Sequence, residues 1–174
     1  MTSRRYLSLL AVLVPTAAFA QAAAVTWPDS ASALTWQNPP ATSAADDMMS
    51  RDDAQAYCAQ LSLGGAAGWR LPSVDELRSL LRNSAATAPS GGCGVRSGCL
   101  GSSCRNDDCD GTDSGVASCR WPDALTGKCG AYWTSSPTSD APGRAWLLSF
   151  YDGSVHDGDA SDYNYVRCVR SSAP

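Results

Sequence analysis

The chain has 174 residues, with 13 basic and 17 acidic side chains and a formal net charge of −4. Loss of Arg4 and Arg5 with a cleaved leader takes it to −6. An acidic surface repels phosphate and sulfate, which argues against nucleic acid and sulfated polymers as partners, and the length suits one domain with a core of its own.

Arg4 and Arg5 precede a short apolar run, Leu7 to Val14, broken by Pro15; Ala18-Phe19-Ala20 follows as a small-x-small cleavage pattern. Residues 1–20 are expected to form a signal peptide. The run falls short of the about 20 apolar residues that cross a bilayer, and no second run follows, so no integral membrane segment is expected after cleavage. Ser3-Arg4-Arg5-Tyr6-Leu7 also partly matches a twin-arginine signal, so both export routes stay open. The expected location is secreted, periplasmic or at the cell surface.

Residues 21–33 read as an N-terminal extended segment and 34–172 as a single domain. Trp27 and Trp36 stand among Pro, Ser and Thr between Val25 and Ala45, which suits one or two short strands. Ser50 can cap a helix through Asp53. Ala54, Tyr57, Cys58 and Leu61 keep helical spacing, which puts Cys58 on the buried face, and Gly64-Gly65 is the expected stop. A second helix starts more clearly: Ser73 and Glu76 make a capping box, with Val74, Leu77, Leu80 and Leu81 as the apolar stripe.

Residues 90–128 differ in kind. They hold Cys93, Cys99, Cys104, Cys109 and Cys119, with Cys129 directly after, so six of the eight cysteines cluster here, with many Gly and Asp and little apolar periodicity. Behind an export signal an even cysteine count reads as disulfides. A zinc site is disfavoured, because there is no Cys-x-x-Cys pair and His156 is the sole histidine. The stretch is expected to be a loop-rich insertion held by disulfides rather than by a core of its own. The pairing within it is open; neighbour pairing (Cys93–Cys99, Cys104–Cys109, Cys119–Cys129) is the weak preference.

Beyond the insertion the sequence turns sheet-like. Ala131 to Ser135 and Arg144 to Tyr151 read as strands, and Asp152-Gly153 marks a hairpin turn. Tyr165 to Arg170 reads as a last strand, with Tyr165, Arg167 and Val169 on one face and Val166, Cys168 and Arg170 on the other. The fold class expected is α+β: two helices on a small antiparallel sheet, with a long cysteine-rich loop insertion.

Four pieces of sequence occur together: Tyr57-Cys58, the run from Gly64 through Gly68-Trp69-Arg70-Leu71-Pro72-Ser73 to Leu77, Tyr132-Trp133-Thr134-Ser135-Ser136, and Val166-Arg167-Cys168-Val169-Arg170. In this order they resemble the Lcl C-terminal domain family, from about Leu34 to Arg170 apart from the insertion. The resemblance implies a C-type-lectin-like fold and a disulfide between Cys58 and Cys168. Both cysteines lie outside the insertion, and closing a loop of about 110 residues would stabilise by about 4–5 kcal/mol in the chain-entropy model. Relatives are mostly exported and occur in adhesin-like and ligand-binding proteins, some with diversified residues just before the last strand. The resemblance therefore implies adhesion or ligand binding at the cell envelope. The insertion departs from the plain family pattern.

Trp69, Arg70, Pro72, Glu76 and Trp133 are read as structural: the tryptophans as core, Arg70 as an ion-pair partner of Glu76 or Asp75. Asn106, Asp108 and Asp110 place oxygen ligands at alternate positions, as at the start of a calcium loop, but position 12 is Ala117 and no helices flank it. A solvated acidic loop is the default there, and calcium the lesser alternative; no other cofactor is expected. The candidate ligand face is Tyr151, Asp152, Ser154, His156, Asp157, Asp159, Asp162, Tyr163 and Asn164, since Tyr, Ser, Asn and Asp suit adaptable recognition loops. Its bland counterpart is an ordinary polar hairpin. No nucleophile elbow or His-Glu-x-x-His occurs, and His156 has no evident nucleophile partner, so an enzyme is not expected; one like the distantly similar formylglycine-generating enzymes is the remote alternative. The expected function is non-catalytic recognition of an extracellular glycan or protein. A structural or interaction protein of the cell envelope without a small ligand is the competing class.

Overall fold

A computed structural model describes residues 26–40, 48–112 and 119–172. The signal peptide expected over 1–20 lies outside them, as do most of the 21–33 segment's first residues and Ala117 of the acidic loop.

The chain is mixed α+β, mostly sheet with two helices, but it builds two sheets where one was expected. Strand β1 (Thr26–Asp29) pairs antiparallel with β2 (Leu34–Gln37), setting Trp27 opposite Trp36. The second sheet has the order β3-β7-β4-β5-β6, with β3 (Met48–Met49), β4 (Ala131–Pro137), β5 (Arg144–Ser149), β6 (Val155–Asp159) and β7 (Asn164–Tyr165). Strand β7 meets β4 in parallel at Tyr165 and Tyr132. The last strand, β8 (Val169–Ser171), joins β2 in the first sheet. The single strand expected over 165–170 is thus two strands in two sheets. Val166, Arg167 and Cys168 cross between them and are all buried, so no alternation of faces holds there.

Helix α1 (Arg51–Gln60) begins where Ser50 Oγ accepts from the Asp53 amide at 3.3 Å. It buries Ala54 and Cys58. Arg51 docks it on β4, donating to the carbonyls of Thr134 and Ser135 at 3.3 and 2.7 Å. The helix stops at Gln60, ahead of the two glycines. Gly64 and Gly65 instead form the tip of a turn between bridged Leu63 and Ala66, with φ of +59° and +74° that suit glycine. Helix α2 (Val74–Ser79) has the full capping box of Ser73 and Glu76. Leu80 and Leu81 follow it and are buried with Val74 and Leu77.

The motifs that occur together in sequence touch in space. Strand β4 carries a bulge between Trp133 and Pro137, which frees polar groups from its ladder with β5. The Ser135 amide bonds the Pro72 carbonyl at 2.7 Å, and Ser136 Oγ accepts from the Val74 amide at 3.1 Å. Thr134 Oγ1 donates to the Trp146 carbonyl at 2.8 Å, keeping the ladder closed. Arg70 and Val169 exchange two backbone bonds of 2.9 Å each. The Arg70 guanidinium grips Glu76 with both Nη atoms, at 2.7 and 2.6 Å. Trp69 and Trp133 are buried together with Cys58 and Cys168, which form a disulfide.

The insertion is built differently from the expectation. Its disulfides are nested: Cys93–Cys109 encloses Cys99–Cys104, and Cys119–Cys129 follows. Only the last matches neighbour pairing. The chain reverses at the Arg96–Cys99 bridge, and two 3-10 turns (Ser102–Cys104, Asp107–Cys109) carry Cys104 back to Cys99 and Cys109 back to Cys93. Nor does the insertion lack a core. Val95, Trp121 and Leu125 are buried in the same cluster as Trp36, Leu77, Leu80 and Phe150. Trp121 packs on Phe150 and Tyr132, with ring centroids 5.0 and 5.8 Å away.

Three buried arginines hold these loops. Arg78, on α2, donates to the carbonyls of Thr87 (2.7 Å), Ala88 (2.8 Å) and Val95, with a longer contact to Cys93 at 3.4 Å. Arg120 reaches the carbonyls of Asn83 and Tyr151 and the Thr112 hydroxyl. Arg167 donates to the carbonyls of Gln37 and Thr126 and lies over the Trp121 ring at 4.7 Å. Its burial lowers the guanidinium pKa to about 10. Neither Arg78 nor Arg167 forms an ion pair with a carboxylate among the described residues. Loop carbonyls take that place, which is how a stretch poor in regular structure satisfies its backbone.

Candidate functional site

Among the described residues strand β6 is an edge strand, paired only with β5, and a turn after it leads to β7. The expected ligand residues therefore flank and include a strand, rather than forming one loop between two strands. They divide into two groups. Tyr151, Asp152 and Ser154 lie at the β5–β6 turn. There the Gly153 φ of +80° makes the reversal, and Asp152 Oδ1 accepts from both the amide and the hydroxyl of Ser154, at 3.0 and 2.9 Å. Those bonds hold the Asp152 carboxyl below its usual range despite the opposing effect of burial.

His156, Asp157, Asp159, Asp162, Tyr163 and Asn164 form the second group. With Arg144, Leu147 and Gly158 they line an open depression of about 510 Å³. Its floor is tight: a Cβ on Gly158 would come within 2.8 Å of Leu147 Cδ1, so only glycine fits there without displacing the core. Arg144 ion-pairs with Asp157 and also donates to its carbonyl at 3.0 Å. Asp159 accepts from the amide and hydroxyl of Ser161, at 2.9 and 2.7 Å.

On the other side of Tyr163 lies a second depression, of about 490 Å³, lined by Ser50, Asp52, Asp53, Gly143, Asp159, Ala160, Ser161 and Tyr163. Tyr163 is 65% exposed and Tyr151 56%, the two large apolar side chains that stand out from the described surface. Tyr163 and Asp159 form the wall common to both depressions. Asp52 and Asp53 were not among the sequence-derived site residues. They read as the first turn of a helix, and only the tertiary fold brings α1 against the 159–163 turn, where the Arg51 amide bonds the Ala160 carbonyl at 2.9 Å.

His156 is partly buried. Desolvation lowers its pKa below 6.5 and outweighs the opposing pull of Asp152 and Asp157. Its Nδ1 lies 3.5 Å from Ser154 Oγ, whose proton is directed to Asp152. A folded-state pKa below the unfolded one means the unfolded chain binds the proton first, so stability falls as pH drops below about 6.5. Glu76 and Asp152, whose pKa values are also lowered, withdraw their contributions at more acidic pH. Urea midpoints measured between pH 7.5 and 5 should decline, and His156→Gln should flatten that decline. An unchanged profile in the variant would remove His156 as its origin.

The acidic loop is internally engaged. Asn106 bonds the Gly92 carbonyl (3.0 Å) and the Gly94 amide (3.3 Å), and Asp110 ion-pairs with Arg105. The Asn106 bonds tie the loop of the nested disulfides together, and among the described residues no group of three His, Cys, Asp or Glu is arranged to hold a metal ion.

A family model described as the Lcl C-terminal domain matches residues 25–170. The chain belongs to the Lcl C-terminal domain family. No curated protein matches it significantly. The match runs through the insertion, so in this Lcl C-terminal domain the nested disulfides lie inside the family unit, between α2 and β4. The clasped motifs and the Tyr163 surface both fall within it.

Proposed function

We propose that this Lcl C-terminal domain is an exported, non-catalytic recognition module of C-type-lectin-like architecture, and that it binds an extracellular glycan or protein on the surface centred on Tyr163. The observation that carries this reading is an aromatic ring, 65% exposed, between two depressions in the turn from β6 to β7. An exposed tyrosine offers contact area at little entropic cost, and the carboxylates around it accept hydrogen bonds. Export is supported by four disulfides, and no helix among the described residues is long and apolar enough to cross a membrane. The non-catalytic reading is supported by the Ser154 proton, directed to Asp152 rather than to His156.

Immobilised envelope proteins and a glycan array, each probed with wild type and Tyr163→Ala, test the proposal. The variant should fold normally and lose about tenfold or more in affinity, the scale of an aromatic anchor. Equal binding by both proteins would move the recognition face elsewhere.

A further inference from the structure

The chemistry around Tyr163 narrows what it can recognise. Five carboxylates surround the two depressions: Asp52 and Asp53 from the first turn of α1, Asp157 and Asp159 from β6, and Asp162 from the turn that follows. Among the described residues Arg144 is the sole Lys or Arg lining either depression, and it pairs with Asp157. Six of the other cations are engaged elsewhere. Arg78, Arg120 and Arg167 are buried among carbonyls, Arg51 points its guanidinium at β4, and Arg70 and Arg105 are paired. Asp53 accepts from Ser50 Oγ and Asp159 from the amide and hydroxyl of Ser161; Arg144, already paired with Asp157, also acts on Asp159, so among the described lining residues one guanidinium faces five carboxylates and the surface stays net negative.

Resting on the Tyr163 surface as the recognition face, we infer that its partner is a basic protein segment carrying lysine or arginine side chains on either side of the tyrosine. Charge complementarity selects the class: a neutral sugar gains hydrogen bonds from these carboxylates but nothing from their charge, and an anionic polymer is repelled. The ring adds a face for an ammonium or guanidinium group. Asp159, shared by both depressions, lies within reach of a cation on either side. Two depressions flanking one ring suit an extended chain with basic side chains in each, rather than a single small cation.

The test is a backbone-amide NMR titration of the intact oxidised chain with tetralysine, with a Gly-Ser peptide of equal length and with a neutral oligosaccharide. Tetralysine should shift the resonances of residues 52–53 and 157–164. Its affinity should fall about tenfold in an Asp159→Asn/Asp162→Asn variant, and also as salt rises from 50 to about 300 mM. Asp123→Asn, at the exposed edge of a separate depression beside Trp121, should leave the affinity unchanged. An equal loss in that variant would mean attraction by net charge alone and would overturn the inference. Shifts at Tyr163 from the oligosaccharide that survive the double Asp→Asn change, with none from tetralysine, would overturn the basic partner and keep the recognition face. No shift at Tyr163 from any of the three probes would overturn both.

Discussion

Replacing Arg78 by alanine is expected to destabilise the domain by about 3–5 kcal/mol, which is large for a position with no ligand to bind. The guanidinium is buried and donates to carbonyls of Thr87, Ala88, Cys93 and Val95. Its removal leaves several buried acceptors without partners and opens a void beneath α2. Arg78→Met keeps most of the volume and loses every donor, so it should recover little, whereas Arg78→Lys should recover part. Hydrogen exchange should locate the damage: amides from about residue 84 to 109 lose protection first, while β4 and β5 keep theirs until global unfolding. A loss of less than 1 kcal/mol in Arg78→Ala would show that the disulfides alone hold the insertion.

The second large effect concerns Cys58 and Cys168. Their bond spans a sequence separation of 110 residues, against 5 for Cys99–Cys104. In the chain-entropy model, the long loop is worth about 4.8 kcal/mol and the short one about 2 kcal/mol. Cys58→Ala/Cys168→Ala should therefore lower the denaturant midpoint much more than Cys99→Ala/Cys104→Ala. Both cysteines of the long-range pair are fully buried beside Trp69 and Trp133, so alanine also leaves a packing defect. Equal losses in the two double variants would rule out loop entropy as the main source of stabilisation.

Local signals were readable wherever the chain meets its own neighbours. Ser50 and Ser73 cap helices as their spacing implies, and Asp152-Gly153 makes the β5–β6 reversal. Arg70 meets Glu76. What could not be read was set by groups far apart in sequence. Residues 90–128 look coreless because Val95, Trp121 and Leu125 follow no period; each reaches the shared core singly, from an irregular backbone. Nothing local to Arg78 shows that four carbonyls await it. The nested cysteines depend on where the chain reverses, which Gly-rich sequence leaves open. Residues 165–170 alternate like one strand, yet Arg167 is drawn inward by Trp121 and the carbonyls of Gln37 and Thr126. At the candidate site, the 151–164 segment was visible from its composition, while Asp52 and Asp53 were hidden by their role in starting α1.

The crossing segment Val166-Arg167-Cys168 has a consequence for the order of assembly. Strand β7 belongs to the sheet with β3 and β4, and β8 three residues later belongs to the sheet with β1 and β2. Both sheets wait for nearly the last residues of the chain. Neither can close on residues 26–60 alone, because β2 needs β8 and β3 needs β7. A polypeptide delivered N-terminus first must therefore stay open, with Cys58 reduced or exchangeable, until Cys168 arrives. Such long-range closure slows folding and makes the final step a single cooperative one, in which the two sheets and the Cys58–Cys168 bond form together.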